Sequence, residues 1–280
     1  MIFNKISFSG HEKFDCKASW LCLAYRDVNV IQGHIETAIE LTGIGSNKVK
    51  SLRQWVHKLG LFDGGKFNEL AVLIFSQDPY LEKVDSLWIL HTFLTQNIEK
   101  ATLYHLFFNQ FFFTTFTKDS LQLKLEKWCS EHQIRMSVTT LESDITILTK
   151  MYLKNNDKDQ FSASLFHDLN ILHKVDNEYI VNLKNPALLS DKAFLFIFCY
   201  FIRYHKGSTI SVKDLQFGQN SLQNTLCLTE EKLLEKLTKL SVLTDNQIVY
   251  QEAAGIKQIY IHHLPTLQEA LANVYGKEVA

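Results

Sequence analysis

The segment from Gly43 to Phe67, GIGSNKVKSLRQWVHKLGLFDGGKF, constrains the fold more than any other part of the chain. Between Ser46 and Gly60 it carries four cations and no acid. The spacing predicts one helix with two unlike faces. Val49, Leu52, Val56 and Leu59 fall at i, i+3, i+7 and i+10, an apolar stripe suited to burial. Lys50, Arg53, Gln54 and His57 fall at i, i+3, i+4 and i+7 on another face. Gly43 suits the left-handed end of a preceding helix built on Ile35, Ile39 and Leu41. Ser46 or Asn47 suits the cap of the second helix, and Gly60 its close. LFDGGKF then reads as a hairpin turning at Gly64–Gly65. Helix, turn, helix and hairpin is the order of a winged helix.

Only three prolines and eleven glycines punctuate the 280 residues, which favours helices over long linkers. In DPYLEKVDSLWILHTFLTQN, Leu87, Leu90, His91 and Leu94 keep helical spacing, so His91 is expected in the core. TTLESDITILTKMYL opens with a capping box at Thr139–Glu142 and continues as a stripe of Leu141, Ile145, Leu148 and Tyr152. NNDKDQ, Asn155 to Gln160, reads as a linker. Near the end, TEEKLLEKLTKL predicts a helix with Leu233, Leu237 and Leu240 on one face. Strands follow around Asp245–Asn246, with a third from Ile256 to Ile261. The expected fold class is mainly α with small β-hairpins: two winged-helix-like units around a helical middle. The units span 1–100, 101–206 and 207–280.

Net charge is −1, but its distribution is uneven. Residues 1–60 hold eight cations and five acids, whereas 207–280 hold six and eight. Glu230, Glu231 and Glu235 match Lys232, Lys236 and Lys239 on the C-terminal helix, which suits packing or a protein partner better than phosphate. On the basic helix, Arg53 has the fork for guanine and Gln54 the amide for adenine, with Lys48, Lys50 and Lys58 as phosphate contacts and His57 beside them. A solvated basic face on an ordinary bundle helix would read the same way.

SGHEKFD gathers His11, Glu12 and Asp15, which can hold a divalent ion such as Mg²⁺ or Mn²⁺, or act as acid and base at a phosphodiester. They can equally satisfy backbone groups at a core seam. Five cysteines without a CxxC pair suit reduced thiols in a cytoplasm. LYHLFFNQFFFTTF is shorter than the ~20 residues a span needs and reads as a buried aromatic helix, so no membrane role is expected.

Taken in order, FSGHEKFDCKASWLCLAYRDV, GIGSNKVKSLRQWVHKLGL, DPYLEKVDSLWILH, LESDITILTKMYL and EAAGIKQIYI resemble a bacterial family of domains of unknown function. Its members are similar to components encoded in DNA phosphorothioation defence systems, where sulfur replaces a non-bridging phosphate oxygen. The block around QFSASLFHDLNIL departs from the family pattern. The resemblance implies an Ssp-type component that engages double-stranded DNA through Lys50, Arg53 and Gln54, with Ser9–Glu12 as a family-specific site and strand nicking as a possible activity. It implies as partners a cysteine desulfurase, a phosphosulfate-reductase-like ATP pyrophosphatase and an ATPase. A winged-helix transcriptional regulator without catalysis, or an assembly scaffold for the sulfur-transfer proteins, remains an open alternative.

Overall fold

The structure, a computed structural model, describes residues 6–154, 163–184 and 186–276. It is mainly α-helical with small antiparallel sheets. The chain opens with α1 (Ala18–Arg26), α2 (Asn29–Gln32), α3 (Ile35–Thr42) and α4 (Ser46–Lys58). The hairpin of β1 (Phe62–Asp63) and β2 (Lys66–Phe67) follows, then α5 (Glu69–Gln77). Gly43 ends α3 at φ 68°, and Gly60 follows α4 at φ 64°. Both conformations cost an L-residue steric energy that glycine avoids. Phe62 pairs with Phe67 and Asp63 with Lys66, across Gly64 and Gly65 at positive φ, as a tight hairpin turn requires. The start of α4 differs from expectation. Ser46 is already helical, so extended Gly45 is the N-cap and no side chain caps the helix.

The central helix α6 (Val84–Gln96) is buried on every side from Ser86 to Thr95. The aromatic stretch that follows is not one helix. It runs as α7 (Thr102–His105), a π-helical turn at Leu106–Phe111, and then β3 (Thr115–Phe116). The Asn109 amide donates to the carbonyls of His105 and Thr95, each at 3.1 Å. A side chain bonding the i−4 carbonyl competes with the regular ladder, which accounts for the widened turn. Next come α8 (Lys118–Glu131) and α9 (Val138–Tyr152). The cap of α9 is Ser137, which accepts from the Thr140 N–H, two residues before the expected Thr139. Leu141, Ile145, Leu148 and Tyr152 are buried as one stripe. The expected linker Asn155–Gln160 lies outside the described residues. A sheet then interrupts the middle: β4 (Leu172–Val175) and β5 (Glu178–Val181) turn at Asp176, φ 51°, and β3 joins them in the order β3-β5-β4.

The remainder comprises α10 (Asp191–Ile202), β6 (Thr209–Ser211), α11 (Val212–Phe217), α12 (Leu222–Thr225), α13 (Glu230–Leu243), β7 (Ile248–Ala253), β8 (Ile256–Ile261) and α14 (Leu267–Val274). The sheet order is β6-β8-β7. Its hairpin turns at Ala254–Gly255, not at Asp245–Asn246, because the latter pair takes left-handed φ values to lead out of α13. The third strand is therefore β6, and Ile256–Ile261 is the second arm of the hairpin.

One continuous apolar core includes residues from all parts of the described chain. Helix α14 returns to pack on α10 and α5, where the Tyr275 hydroxyl meets Ser86 Oγ at 2.7 Å. His91, fully buried, donates through Nε2 to the Thr225 carbonyl and accepts at Nδ1 from the Tyr152 hydroxyl, both at 2.8 Å. Burial pushes its pKa down to about 4. All five cysteines are free and buried. Among the described residues no helix is long and apolar enough to cross a membrane.

Candidate nucleic-acid interface

Helix α4 buries Val49, Leu52, Trp55 and Val56 against the core, as its stripe predicts. Its other residues have unequal fates. Lys48, Lys50 and Gln54 are exposed. Arg53 is half-buried, and its guanidinium donates from Nε to the Val30 carbonyl at 2.9 Å and from Nη2 to the Gly33 carbonyl at 2.7 Å. These carbonyls lie at the end of α2, so the planar fork terminates a helix instead of facing solvent. Lys58 is buried and donates to the Lys100 carbonyl at 2.7 Å. Burial lowers its pKa to about 8, and the nearby Asp144 carboxylate opposes part of that shift. His57 packs edge-on to Phe62, and burial, with the charge of Lys100, lowers its pKa. The face that the sequence groups as one is thus divided: the tip and one flank are open, the other flank is structural.

Beside the open part lies a strap, residues 7–14. Ser9, Gly10, Glu12 and Lys13 all hold positive φ, between 47° and 81°. Three of these are not glycine, an unfavourable conformation that the surroundings must enforce. The enforcement is visible. Asp144 on α9 accepts from the Ser9 N–H at 2.9 and 3.0 Å and from His11 Nε2 at 2.7 Å. The Lys13 N–H donates to His11 Nδ1 at 3.0 Å, which places the imidazole proton on Nε2. From α4, Ser51 Oγ donates to the His11 carbonyl at 2.8 Å and Trp55 Nε1 to the Phe14 carbonyl at 3.0 Å. The strap is therefore clasped from α4 beneath and from α9 behind. Gly10 rests against Gln54, whose Oε1 would lie 3.4 Å from a Cβ added there. The Lys48 ammonium lies 5.9 Å from the centre of the Phe14 ring. Glu12 and Lys13 are exposed.

His11, Glu12 and Asp15 are not gathered into one site. His11 is 5% exposed, with both ring nitrogens engaged as above. Asp15, 1% exposed, meets the ammonium groups of Lys17 at 2.6 Å and Lys150 at 2.7 Å, and accepts from Ser164 Oγ. Burial alone would raise its pKa, but those three donors hold it below the usual carboxylate value. Among the described residues no three His, Cys, Asp or Glu side chains come together to hold a metal ion. The donor atoms of His11 and Asp15 face protein partners, so they do not fit Mg²⁺ or Mn²⁺ as they stand.

Sequence reasoning missed Asp144, Lys150 and Ser164, which complete these contacts. A signal existed for Asp144: it adjoins Leu141, Ile145 and Leu148 on the apolar side of α9, where a carboxylate needs a partner.

Residues 8–275 match the family described as "Protein of unknown function (DUF4007)". The chain belongs to the DUF4007 family. Among solved structures it is similar to a magnesium ion-bound SspB crystal structure, with a TM-score of 0.80 and 20% identity over 96% of this chain and 88% of that one. A second SspB crystal structure superposes with a TM-score of 0.79 at the same identity and coverage. At that identity the likeness shows a shared fold. No curated protein matches the chain. The clasp links the blocks that carry the family resemblance: FSGHEKFD supplies the strap, SLRQW supplies Ser51 and Trp55, and LESD supplies Asp144.

Proposed function

We propose that this DUF4007 protein is the DNA-engaging component of an Ssp-type phosphorothioation system and holds duplex DNA against the open end of α4. The observation that carries the reading is the acid-free α4, which presents Lys48, Lys50 and Gln54 together beside a clasped strap. Two exposed ammonium groups and a side-chain-uncapped helix N-terminus are suited to backbone phosphates, and the Gln54 amide is suited to a base edge. The likeness to SspB structures supports the assignment to such a system. Its cytoplasmic partners would be the cysteine desulfurase, the phosphosulfate-reductase-like ATP pyrophosphatase and the ATPase.

Both ends of the chain are read as winged-helix-like. For the C-terminal unit, the order helix, strand, helices, strand, strand and the sheet order β6-β8-β7 support this. Three of its cations are occupied: Lys236 and Lys239 pair with Asp191, and Lys257 with Glu230. That unit is accordingly assigned to packing and to the protein partners along α13.

Fluorescence anisotropy with a labelled duplex over a salt series tests the DNA reading. Lys48→Glu/Lys50→Glu should abolish binding, and charge-neutral Lys48→Gln/Lys50→Gln should reduce the slope of log K against log salt by about 2. Unchanged binding in both variants refutes it. If the chain also nicks, the strap carboxylate available to act is Glu12, since Asp15 is enclosed by Lys17, Lys150 and Ser164. Open circles formed from supercoiled plasmid should then disappear in Glu12→Ala while duplex binding persists.

A further inference from the structure

A rigid stack of rings leaves the core at the end of α10. Phe93 and Phe196 pack on Tyr200, with ring centroids 4.9 and 6.2 Å away. The Arg203 guanidinium lies 3.8 Å from the Tyr200 centroid and 4.6 Å from that of Tyr204, and its Nη1 donates to the Tyr200 carbonyl. Tyr204, the outermost member, is nonetheless 82% exposed. Its ring is held by the guanidinium on one side and open to solvent elsewhere. An exposed tyrosine on its own means little. One fixed by a stacked cation can receive a further flat ring at little entropic cost.

The surroundings indicate what kind of ring. No acid occurs between Asp191 and Asp214, and Arg203 and Lys206 stand on either side of Tyr204 in the chain. Residues 204–208 are all exposed. The Ile261 N–H donates to the Ser208 carbonyl, so exposed His262 follows β8 at the same end of the sheet. Among the described residues neither Arg203 nor Lys206 meets a carboxylate, and a stacking ring flanked by such cations is the arrangement that binds unpaired nucleotides, with a base on the ring and phosphates on the cations.

We infer that Tyr204, with Arg203, Lys206 and His262, forms a platform for an unpaired DNA strand, separate from α4. The choice of DNA over RNA rests on the function proposed above. Such a platform would hold a strand opened beside the duplex engaged by α4.

The test is anisotropy of the full chain with a labelled oligothymidylate, alongside a labelled duplex and an oligouridylate. Tyr204→Ala should weaken oligothymidylate binding about 5- to 150-fold, and Tyr204→Phe should restore it. Lys206→Gln should reduce the salt slope by about 0.7. Lys48→Glu/Lys50→Glu should remove duplex binding and leave oligothymidylate binding in place. No binding by the native chain, equal binding by Tyr204→Ala, or tighter binding of oligouridylate overturns the inference. Loss of both DNA ligands in the Lys48/Lys50 variant would also overturn it, since the strand would then lie on α4. Duplex binding that ignores Lys48 and Lys50 while the oligothymidylate needs Tyr204 would refute the α4 reading and leave this one standing.

Discussion

Removing the clasp carboxylate separates architecture from recognition. In Asp144→Leu the side chain keeps a similar volume but has no acceptor oxygen, whereas the Ser9 N–H and the His11 Nε2–H both require one. The imidazole cannot adapt by moving its proton, because Nδ1 already accepts from Lys13. The buried His11 Nε2–H is then left without its acceptor. Hydrogen bonds to charged groups contribute about 1.5–3 kcal/mol each, and a stranded buried donor costs a similar amount. Ser9 is exposed and its N–H can turn to water, so the loss falls mainly on His11 and totals about 2–4 kcal/mol. At about 2.1 cal/mol/K per residue, 280 residues give an unfolding entropy near 0.6 kcal/mol/K, so Tm should fall by about 3–7 °C. Urea unfolding of Asp144→Leu, His11→Ala and the double variant closes a thermodynamic cycle. The coupling should be about 1.5–3 kcal/mol, and the Trp55 indole N–H resonance should shift in both single variants as its bond to Phe14 loosens. Additivity within about 0.5 kcal/mol, with an unmoved Trp55 resonance, would refute the claim that this pair holds the strap.

Three further outcomes follow from the same contacts. Arg53→Ala should lower stability by about 1–3 kcal/mol and leave the salt slope of duplex binding unchanged, because its donors end α2; a reduced slope in the anisotropy series would show that Arg53 reaches phosphate. His91 has a folded pKa of about 4 against an unfolded 6.5, so the unfolded chain binds more protons between those values and stability falls as pH drops through that window, by about 3 kcal/mol in all; urea midpoints flat from pH 6.5 to 4 would contradict the burial. Lys58, with a folded pKa of about 8 against 10.5, has the same sign at the alkaline side: stability rises as pH climbs from about 8 to 10.5. Lys58→Met should abolish that rise without changing duplex affinity, as measured by parallel unfolding and anisotropy.

Periodicity and glycine placement left α1 and α2 unread but made α3, α4, the turns that close them and the first hairpin legible. Local rules govern them: Gly43, Gly60, Gly64 and Gly65 all adopt the positive φ that their positions suggest. Non-local pairing was not legible. Strand β3 has only Thr115 and Phe116, and what makes them a strand is Tyr179 and Ile180, more than sixty residues away. The π turn escaped notice for a related reason: the Asn109 amide that bonds the His105 carbonyl is held there by a second bond to the Thr95 carbonyl of α6. On α4, the i, i+3, i+4, i+7 rule placed Arg53 with Lys50 correctly on the helix. It had no access to α2, whose carbonyls claim the guanidinium.

That division of α4 has a physical logic. Arginine is a rigid fork that satisfies several carbonyls at once, so it serves as the internal fastener between α2 and α4. Lys48 and Lys50 carry compact, hydrated charges on flexible stems, which can follow phosphates without fixing a register. If α4 engages DNA as proposed, register must come from something less flexible. On that reading the strap would supply it: Asp144, Ser51, Trp55 and the Lys13 amide together hold Ser9–Phe14, much of it at unfavourable positive φ, beside Gln54. A segment held at that conformational cost against both α4 and α9 can define position on a ligand in a way two mobile lysines cannot. Variants that loosen the clasp should therefore blur sequence preference among duplexes while sparing the salt-dependent part of the affinity. Lysine variants should do the reverse.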